Sequence, residues 1–321
     1  MASPVEGIAT PVEGIDEPAL ARALAAIVSA SRDVSRYVRA GALLQLPETH
    51  GEINVQGEVV HPLDILGTQT FVQAFDASDV VAGLVCEELT EPQFYEVDPA
   101  LPSYLCVLDP IDGTSNADIG ITIGSIYGIF PTQPGVELSG ETPFLRPGTD
   151  LAAAGYVLYG SNTVLILATP GRVQEFTLDD TTGEFRLTRA DVKIPEACPY
   201  YSVNQGYEDR WDADVQRAVS VVRLGRSLRY VGSLVSDFHR DLVRGGVFLY
   251  PADSKSPHGK IRVLYEAAVF AYIAVQAGGA AITGDGEVLE LVPDSVHQRT
   301  PLFVGNASAI EQIDNALHDR G

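Results

Sequence analysis

Leu20, Leu24, Ile27, Val34 and Val38 recur at helical spacing, which predicts an amphipathic helix from Glu17 to about Ala42. Residues 42–62, ALLQLPETHGEINVQGEVVHP, break that period with Pro, Gly and polar residues and predict a loop long enough to move. Helical spacing resumes over residues 63–75. Short apolar runs follow at residues 80–86, 105–108, 122–130, 151–159, 164–168, 173–178 and 184–188. Each is strand-sized and bounded by Gly, Pro or Asp. No helical stretch separates them, so antiparallel pairing is expected. From about Glu208 the helical period returns, interrupted by a strand at Gly246–Tyr250. Residues 263–276 form a strongly apolar helix that closes on Gly278-Gly279. The sum is a mixed α/β (α+β) layered fold. A soft boundary near Pro195 separates a strand-rich part, residues 1–195, from a helix-rich part, residues 196–321. The near-duplication PVEGIAT, PVEGIDE within residues 1–16 is too short for a repeat architecture and reads as a loose arm.

Composition narrows the partners. In 321 residues, 45% are hydrophobic and 20% charged, which supports a packed core. Lys plus Arg number 21 against 43 Asp plus Glu, a formal net charge of −22. A field of that sign repels phosphate backbones and anionic lipid heads, so nucleic acid and membrane are not expected partners. An anionic substrate would need local help from cations. Cys86, Cys106 and Cys198 cannot build a disulfide framework and read as buried thiols. The chain shows neither a charged-then-apolar leader nor a long apolar run, so a soluble, cytoplasmic protein is expected. Acidic excess with only three lysines would suit a high-salt cytoplasm, and a genome favouring Arg would account for the lysines equally well.

The chemistry should gather at three stretches. In Asp109-Pro-Ile-Asp-Gly-Thr-Ser-Asn116, an apolar strand delivers two carboxylates into a Gly-Thr-Ser turn. Pro110 keeps Asp109 out of helix, and Gly113 lets backbone amides turn toward one point. Hard oxygen ligands beside such a nest suit a metal ion bridging to phosphate. An Asx turn capping a strand end accounts for the same spelling without chemistry. The second stretch is Glu87-Glu88, again at the end of an apolar run; as neighbours on a strand they would point to opposite faces, one to a metal and one to a water. Asp64 follows a loop and starts a helix, where it could serve as an N-cap. The third stretch runs from Tyr250 to Lys260 and on to Arg262 and Glu266. Two of the three lysines fall here, a local positive spot in an acidic protein. Glu266 interrupts an apolar helix, which is costly unless the carboxylate is paired or metal-bound. The histidines show no zinc spacing, and no P-loop, GxGxxG or GxSxG is present.

With these residues in view the chain resembles the class I fructose-1,6-bisphosphatases of the metal-dependent, lithium-sensitive sugar-phosphatase superfamily. The resemblance rests on GGVFLYPADSKSPHGKIRVLYEAAVFAYIAVQAGGAAITG (245–284), NVQGEVVHPLD (54–64), CEE (86–88), DPIDGTSNADIGITIGSIYGIF (109–130), YSVNQGY (201–207) and RYVGSLVSDFHRDLVRGG (229–246). It implies an α-β-α-β-α sandwich, usually a homotetramer. It implies that Glu87, Asp109, Asp112 and Glu266, with the carbonyl of Ile111, hold two or three Mg²⁺ ions, for which Mn²⁺ can substitute. Asp64 and Glu88 would polarise the attacking water. The amides of Gly113, Thr114 and Ser115 would receive the 1-phosphate of a sugar bisphosphate. Asn204, Tyr207, Tyr230 and Tyr250 would hold the 6-phosphate, Arg229 would reach in from a neighbouring subunit, and Lys260 would bridge phosphate and sugar.

The chain also departs from that family. Glu58 stands where it often has Asp, and Val60 and His61 where it has basic residues. DPIDGT is closer to the inositol monophosphatases than the usual DPLDGSS. AMP-regulated members carry Thr-Gly-Glu-Leu-Thr at the first helix and a Lys-Tyr pair before the Asp strand; here IDEPALARAL and Ser103-Tyr104 stand there, so AMP inhibition of the usual kind is not expected. The expected reaction is removal of the 1-phosphate of fructose 1,6-bisphosphate, with sedoheptulose 1,7-bisphosphate as a close variant. An inositol phosphatase would not need the 6-phosphate set, and a non-catalytic relative would not need the acids.

Overall fold

The computed structural model describes residues 15–43 and 61–319. Most of the duplicated arm, most of the 42–62 loop, and Glu58 and Val60 within it lie outside the described residues. Helix α1 (Pro18–Ala40) begins at Glu17, whose carboxylate accepts from the amides of Ala19 and Leu20 and from the Tyr104 hydroxyl. One carboxylate thus caps the helix and ties it to the first long strand. Leu20, Leu24, Ile27 and Val34 are buried on the predicted stripe, and burying each contributes about 1.5–3 kcal/mol. Helix α2 (Pro62–Asp76) packs against α1. Its N-cap is His61, not Asp64: His61 Nδ1 accepts from Leu63 N at 3.2 Å, and Asp64, one turn in, returns to His61 N at 3.1 Å. The two form a capping box, which places Asp64 at the third helical position, facing forward of the helix end.

The strand-rich part forms an eight-stranded sheet of order β2-β1-β3-β4-β5-β6-β7-β8. Its strands are β1 (Val81–Cys86), β2 (Gln93–Phe94), β3 (Tyr104–Asp112), β4 (Ile123–Pro131), β5 (Ala153–Tyr159), β6 (Thr163–Thr169), β7 (Arg172–Asp179) and β8 (Glu184–Arg189). From β3 to β8 the pairing is antiparallel, as expected. β1 and β3 are parallel instead, because the chain first doubles back as β2 on the far edge of β1. β3 outruns its predicted end: a register shift between Asp109 and Asp112 absorbs Pro110 and lets the ladder continue.

The second sheet has the order β10-β9-β11-β15-β13, from β9 (Tyr200–Ser202), β10 (Ser227–Leu228), β11 (Gly246–Tyr250), β13 (Ala280–Ile282) and β15 (Leu302–Gly305). A short ladder joins β12 (Ile261–Arg262) to β14 (Arg299–Thr300). The helices of this part are α3 (Ala213–Arg223), α4 (Leu234–Arg244), α5 (Ala268–Gln276) and α6 (Ala307–Leu317). Alternating side chains sort the layers. α1 and α2 cover one face of the large sheet around Ile123, Tyr127 and Val157. α4 and α5 fill the space between the sheets, meeting Ile126 and Tyr156 on one side and Phe248 and Val304 on the other. α3 and α6 cover the far face of the second sheet, over Val247, Leu249 and Phe303. The order is helix, sheet, helix, sheet, helix, as the resemblance implied. The predicted single helix over residues 263–276 is two elements, a π turn (Val263–Ala267) and then α5.

Candidate active site

A cavity of about 630 Å³ opens where the end of β3, the start of α4 and the β12 segment meet. Asp64, Glu87, Glu88, Asp109, Asp112 and Glu266 line it, together with Gly113, Thr114, Ser115, Tyr230, Tyr250 and Lys260. Its base is the β3 terminus. Gly113 takes φ +80°, and a Cβ there would stand 2.7 Å from the Cβ of Ser233, so only glycine fits. The chain then coils through a 3₁₀ turn, Thr114–Asn116. The Thr114 hydroxyl lies 2.7 Å from Asp64 Oδ1 and 3.0 Å from the Ile111 carbonyl, which couples α2 to the turn.

Asp112 is held by the N-terminus of α4. Its carboxylate accepts from Ser233 Oγ at 2.6 Å, Leu234 N at 3.1 Å and Val235 N at 2.9 Å. The two amides belong to the first turn at the positive end of a helix, a standing anion site, and the hydroxyl is that of its N-cap. Burial raises the proton affinity of Asp112, and the three hydrogen bonds oppose it.

Glu87 and Glu88 do not lie on a strand: β1 ends at Cys86, and both acids sit in the turn that follows, so strand alternation does not separate them and both reach the cavity. Asp109 is buried, and its Oδ1 accepts from Ile111 N at 3.0 Å. Burial first, then the charges of Glu87, Asp112, Glu266 and Asp64, push its carboxyl well above the usual carboxylate range. Arg262 is the nearby cation. Its Nη2 lies 3.6 Å from Glu87 Oε1, and its amide donates to Glu266 Oε2 at 2.6 Å. The π turn directs Glu266 inward, a use of this irregularity that recurs at functional sites.

Lys260, Tyr230 and Tyr250 contribute a basic and hydroxylic stretch of the cavity wall. Asn204 and Tyr207 stand behind it. The Asn204 side chain hydrogen-bonds Tyr230 and accepts from Gly206 N at 3.1 Å. The Tyr207 ring lies 5.1 Å from the Lys260 ammonium and 4.3 Å from the Arg210 guanidinium. Arg229 is not on the wall: it is exposed, with Nη1 on the Leu228 carbonyl at 2.7 Å and its guanidinium 5.5 Å over Tyr200. Sequence reasoning did not assign roles to Ser233, His61 or Arg262. The Gly-Ser pair before the apolar period of α4 carried an N-cap signal for Ser233. Nothing local pointed to its partner Asp112.

The donor set fits divalent cations. Four carboxylates and the Ile111 carbonyl are hard oxygen donors, and the acids crowded around Asp109 supply the excess negative charge such ions relieve. Among the described residues no three acidic, His or Cys side chains already form a group that could hold an ion. Asp112 turns to the start of α4, Glu87 pairs with the Arg262 side chain, and Glu266 accepts from the Arg262 amide.

A layered α-β-α-β-α fold whose sheet ends gather carboxylates around a phosphate-sized turn defines the metal-dependent sugar-phosphatase class of hydrolases. The family model "Fructose-1-6-bisphosphatase, N-terminal domain" matches residues 12–190, and the corresponding C-terminal domain model matches residues 194–318. The chain belongs to the fructose-1,6-bisphosphatase family. It is 45% identical over 299 residues to the cytosolic fructose-1,6-bisphosphatase of a Saccharum hybrid, covering 90% of this chain and 86% of that protein. The Arabidopsis thaliana cytosolic fructose-1,6-bisphosphatase is 43% identical over 297 residues, with the same shares covered. The holo form of Leishmania major fructose-1,6-bisphosphatase superposes with a TM-score of 0.89 at 31% identity, over 95% of this chain and 96% of that one.

Proposed function

We propose that the chain hydrolyses the 1-phosphate of fructose 1,6-bisphosphate to give fructose 6-phosphate and inorganic phosphate, using Mg²⁺, with Mn²⁺ able to replace it. The observation that carries this reading is a single cavity lined by six carboxylates and the Gly113–Ser115 turn and also by Lys260, Tyr230 and Tyr250. Glu87, Asp109, Asp112, Glu266 and the Ile111 carbonyl hold the ions. When bound, divalent cations neutralise phosphate oxygens, acidify water and stabilise the leaving alkoxide. Asp64 and Glu88 orient the attacking water and take its proton; Asp64 is held for this by Thr114 and the His61 amide. The turn amides receive the 1-phosphate, as amides at a Gly-opened turn do for anions. Lys260 contacts phosphate and sugar, and Tyr230 and Tyr250, backed by Asn204 and Tyr207, receive the 6-phosphate.

Residues 1–195 supply most of the metal acids and residues 196–321 the sugar-phosphate contacts, a division supported by the two family models meeting there. Arg229, exposed and off the wall, serves a neighbouring subunit of a homotetramer. The enzyme works in the cytosol, as its relatives are named; among the described residues no helix is long and apolar enough to cross a membrane. The test is phosphate release from fructose 1,6-bisphosphate, sedoheptulose 1,7-bisphosphate and inositol 1-phosphate, each with Mg²⁺ and with EDTA. Fructose 1,6-bisphosphate should turn over fastest, and only with the ion. Full turnover in EDTA removes the metal reading, and preference for inositol phosphate removes the substrate reading.

A further inference from the structure

His297 stands outside the cavity, in the loop that leads into β14, yet it touches both segments that bring glutamates to it. Its Nε2 lies 3.0 Å from the carbonyl of Leu89, the residue after Glu88. Its Nδ1 lies 3.0 Å from the hydroxyl of Tyr265, the residue before Glu266. A carbonyl only accepts, so Nε2 carries the proton and Nδ1 accepts from the tyrosine. The two rings also meet edge-on, with centroids 6.0 Å apart at 71°. Tyr265 is fully buried within the π turn, so its hydroxyl direction is fixed by packing.

The loop carrying His297 is itself pinned on three sides. Val296 N donates to Glu141 at 3.1 Å, Val263 N donates to the Gln298 carbonyl at 2.8 Å, and Arg299 pairs with Arg262 across the β12–β14 ladder. The two glutamate segments have no sheet pairing with each other: one follows β1, the other is a π turn fed by β12. The imidazole bridges them through two directional hydrogen bonds at opposite ends of a rigid ring. Burial lowers the pKa of His297 and Arg262 adds to the effect, outweighing the backbone hydrogen bonds to Leu89 and Thr90 and the charge of Glu141, which raise it; the neutral ring is favoured.

We propose that His297 is a positioning residue for the phosphatase site: it fixes the turn bearing Glu87 and Glu88 relative to the π turn bearing Glu266, and so sets the spacing of the carboxylates that receive the divalent cations. This rests on the metal-dependent reading above. Groups that orient ligands without touching the ion are commonly worth about 10–100-fold in metal affinity, and a bridge acting through the backbone belongs at the lower end.

The experiment compares wild type with His297→Phe, which keeps a ring and loses both bonds, His297→Gln, which can still donate to Leu89 and accept from Tyr265, and Tyr265→Phe, which loses one bond at constant volume. Mg²⁺ alone is titrated, read by the rise in melting temperature without substrate and by the midpoint of activation with it. His297→Phe should need about tenfold more Mg²⁺ in both titrations, with KM for the bisphosphate changed less than about twofold. Tyr265→Phe should shift the same way by less, and His297→Gln should recover part of the loss. Wild-type Mg²⁺ midpoints in His297→Phe overturn the proposal and leave the hydrolase reading intact. Should His297→Phe not fold, an unshifted midpoint in Tyr265→Phe overturns it equally. A wild-type enzyme with neither a Mg²⁺-dependent melting rise nor a Mg²⁺ requirement overturns both readings.

Discussion

Asp241, on α4, has both carboxylate oxygens buried without a hydrogen-bond partner. The groups around it do not settle its charge. Arg240 turns its Nη1 to Asp237 at 3.2 Å, Asp237 is itself an acid, and Cys198 is a half-buried thiol held high chiefly by burial. Burial therefore drives the Asp241 carboxyl well above the usual carboxylate range, with Arg240 opposing it and Asp237 adding to it. The sign follows from proton counting. A carboxyl whose folded pKa is raised binds more protons folded than unfolded, so its contribution to stability falls as pH rises from the ordinary carboxylate pKa through the folded one. Asp241→Asn removes that titration at nearly constant volume. Its melting temperature should match wild type near pH 4 and exceed it by about 2–4 °C near pH 8, on the order of 1 kcal/mol. Scanning calorimetry at the two pH values checks this. A difference that is the same at both would show that Asp241 is not titrating against the fold.

The helix ends carry the next level of the argument. Ser233 Oγ donates to Asp112 and lies 3.3 Å from the amide of Ser236, so one hydroxyl caps α4 and orients a cavity carboxylate. Ser233→Ala should cost about 1 kcal/mol as a lost cap. It should also lower kcat/KM by at least about tenfold, because Asp112 loses the one side-chain donor it has among the described residues. Melting temperature and steady-state kinetics measured together decide it: a lower melting temperature with unchanged kcat/KM reduces Ser233 to a helix cap. Such couplings mark where sequence reading stops. Seven of the eight strands of the large sheet were legible because each is a short apolar run ended by Gly, Pro or Asp, while the two-residue β2 carries no such run; α1 was legible because its stripe keeps one period. The acids of the β3 terminus were legible because strand, proline and glycine follow one another within nine residues of chain, Leu105 to Gly113. The cap of α2 was misplaced because a histidine can accept at Nδ1 as a shorter Asp side chain does, and the π turn was missed because its apolar residues read as ordinary helix. Ser233 meets Asp112 across 121 positions, and His297 meets Leu89 across 208, separations at which no local pattern speaks.

At the scale of the whole molecule, five layers bring the ends of one sheet to the start of a helix of the next layer, and a chain of net charge −22 places Lys260 and Arg262 at that junction. Arg229 is the residue the single chain leaves unexplained. It is exposed at the margin of the second sheet, just past its edge strand β10. Its planar, permanently charged fork suits bidentate phosphate binding, and among the described residues its one side-chain hydrogen bond is to the neighbouring Leu228 carbonyl. If it serves a partner's substrate, Arg229→Ala should raise KM for the bisphosphate about tenfold or more and change kcat less, since the contact is remote from the reacting bond. A complementary variant should break the metal acids alone. Asp112→Asn is the wrong choice, because its amide would face three hydrogen-bond donors. Asp109→Asn is better: Oδ1 can go on accepting from Ile111 N while the amide turns toward the surrounding carboxylates. Each variant alone should be poorly active. Mixed and allowed to exchange, half of the interfacing pairs contain one of each, and in each such pair one of two sites has both intact acids and a donated arginine. Recovery should therefore reach roughly a quarter of wild-type activity at low substrate. Absence of recovery after exchange has been verified by mass spectrometry would confine Arg229 to its own chain and leave the metal chemistry standing.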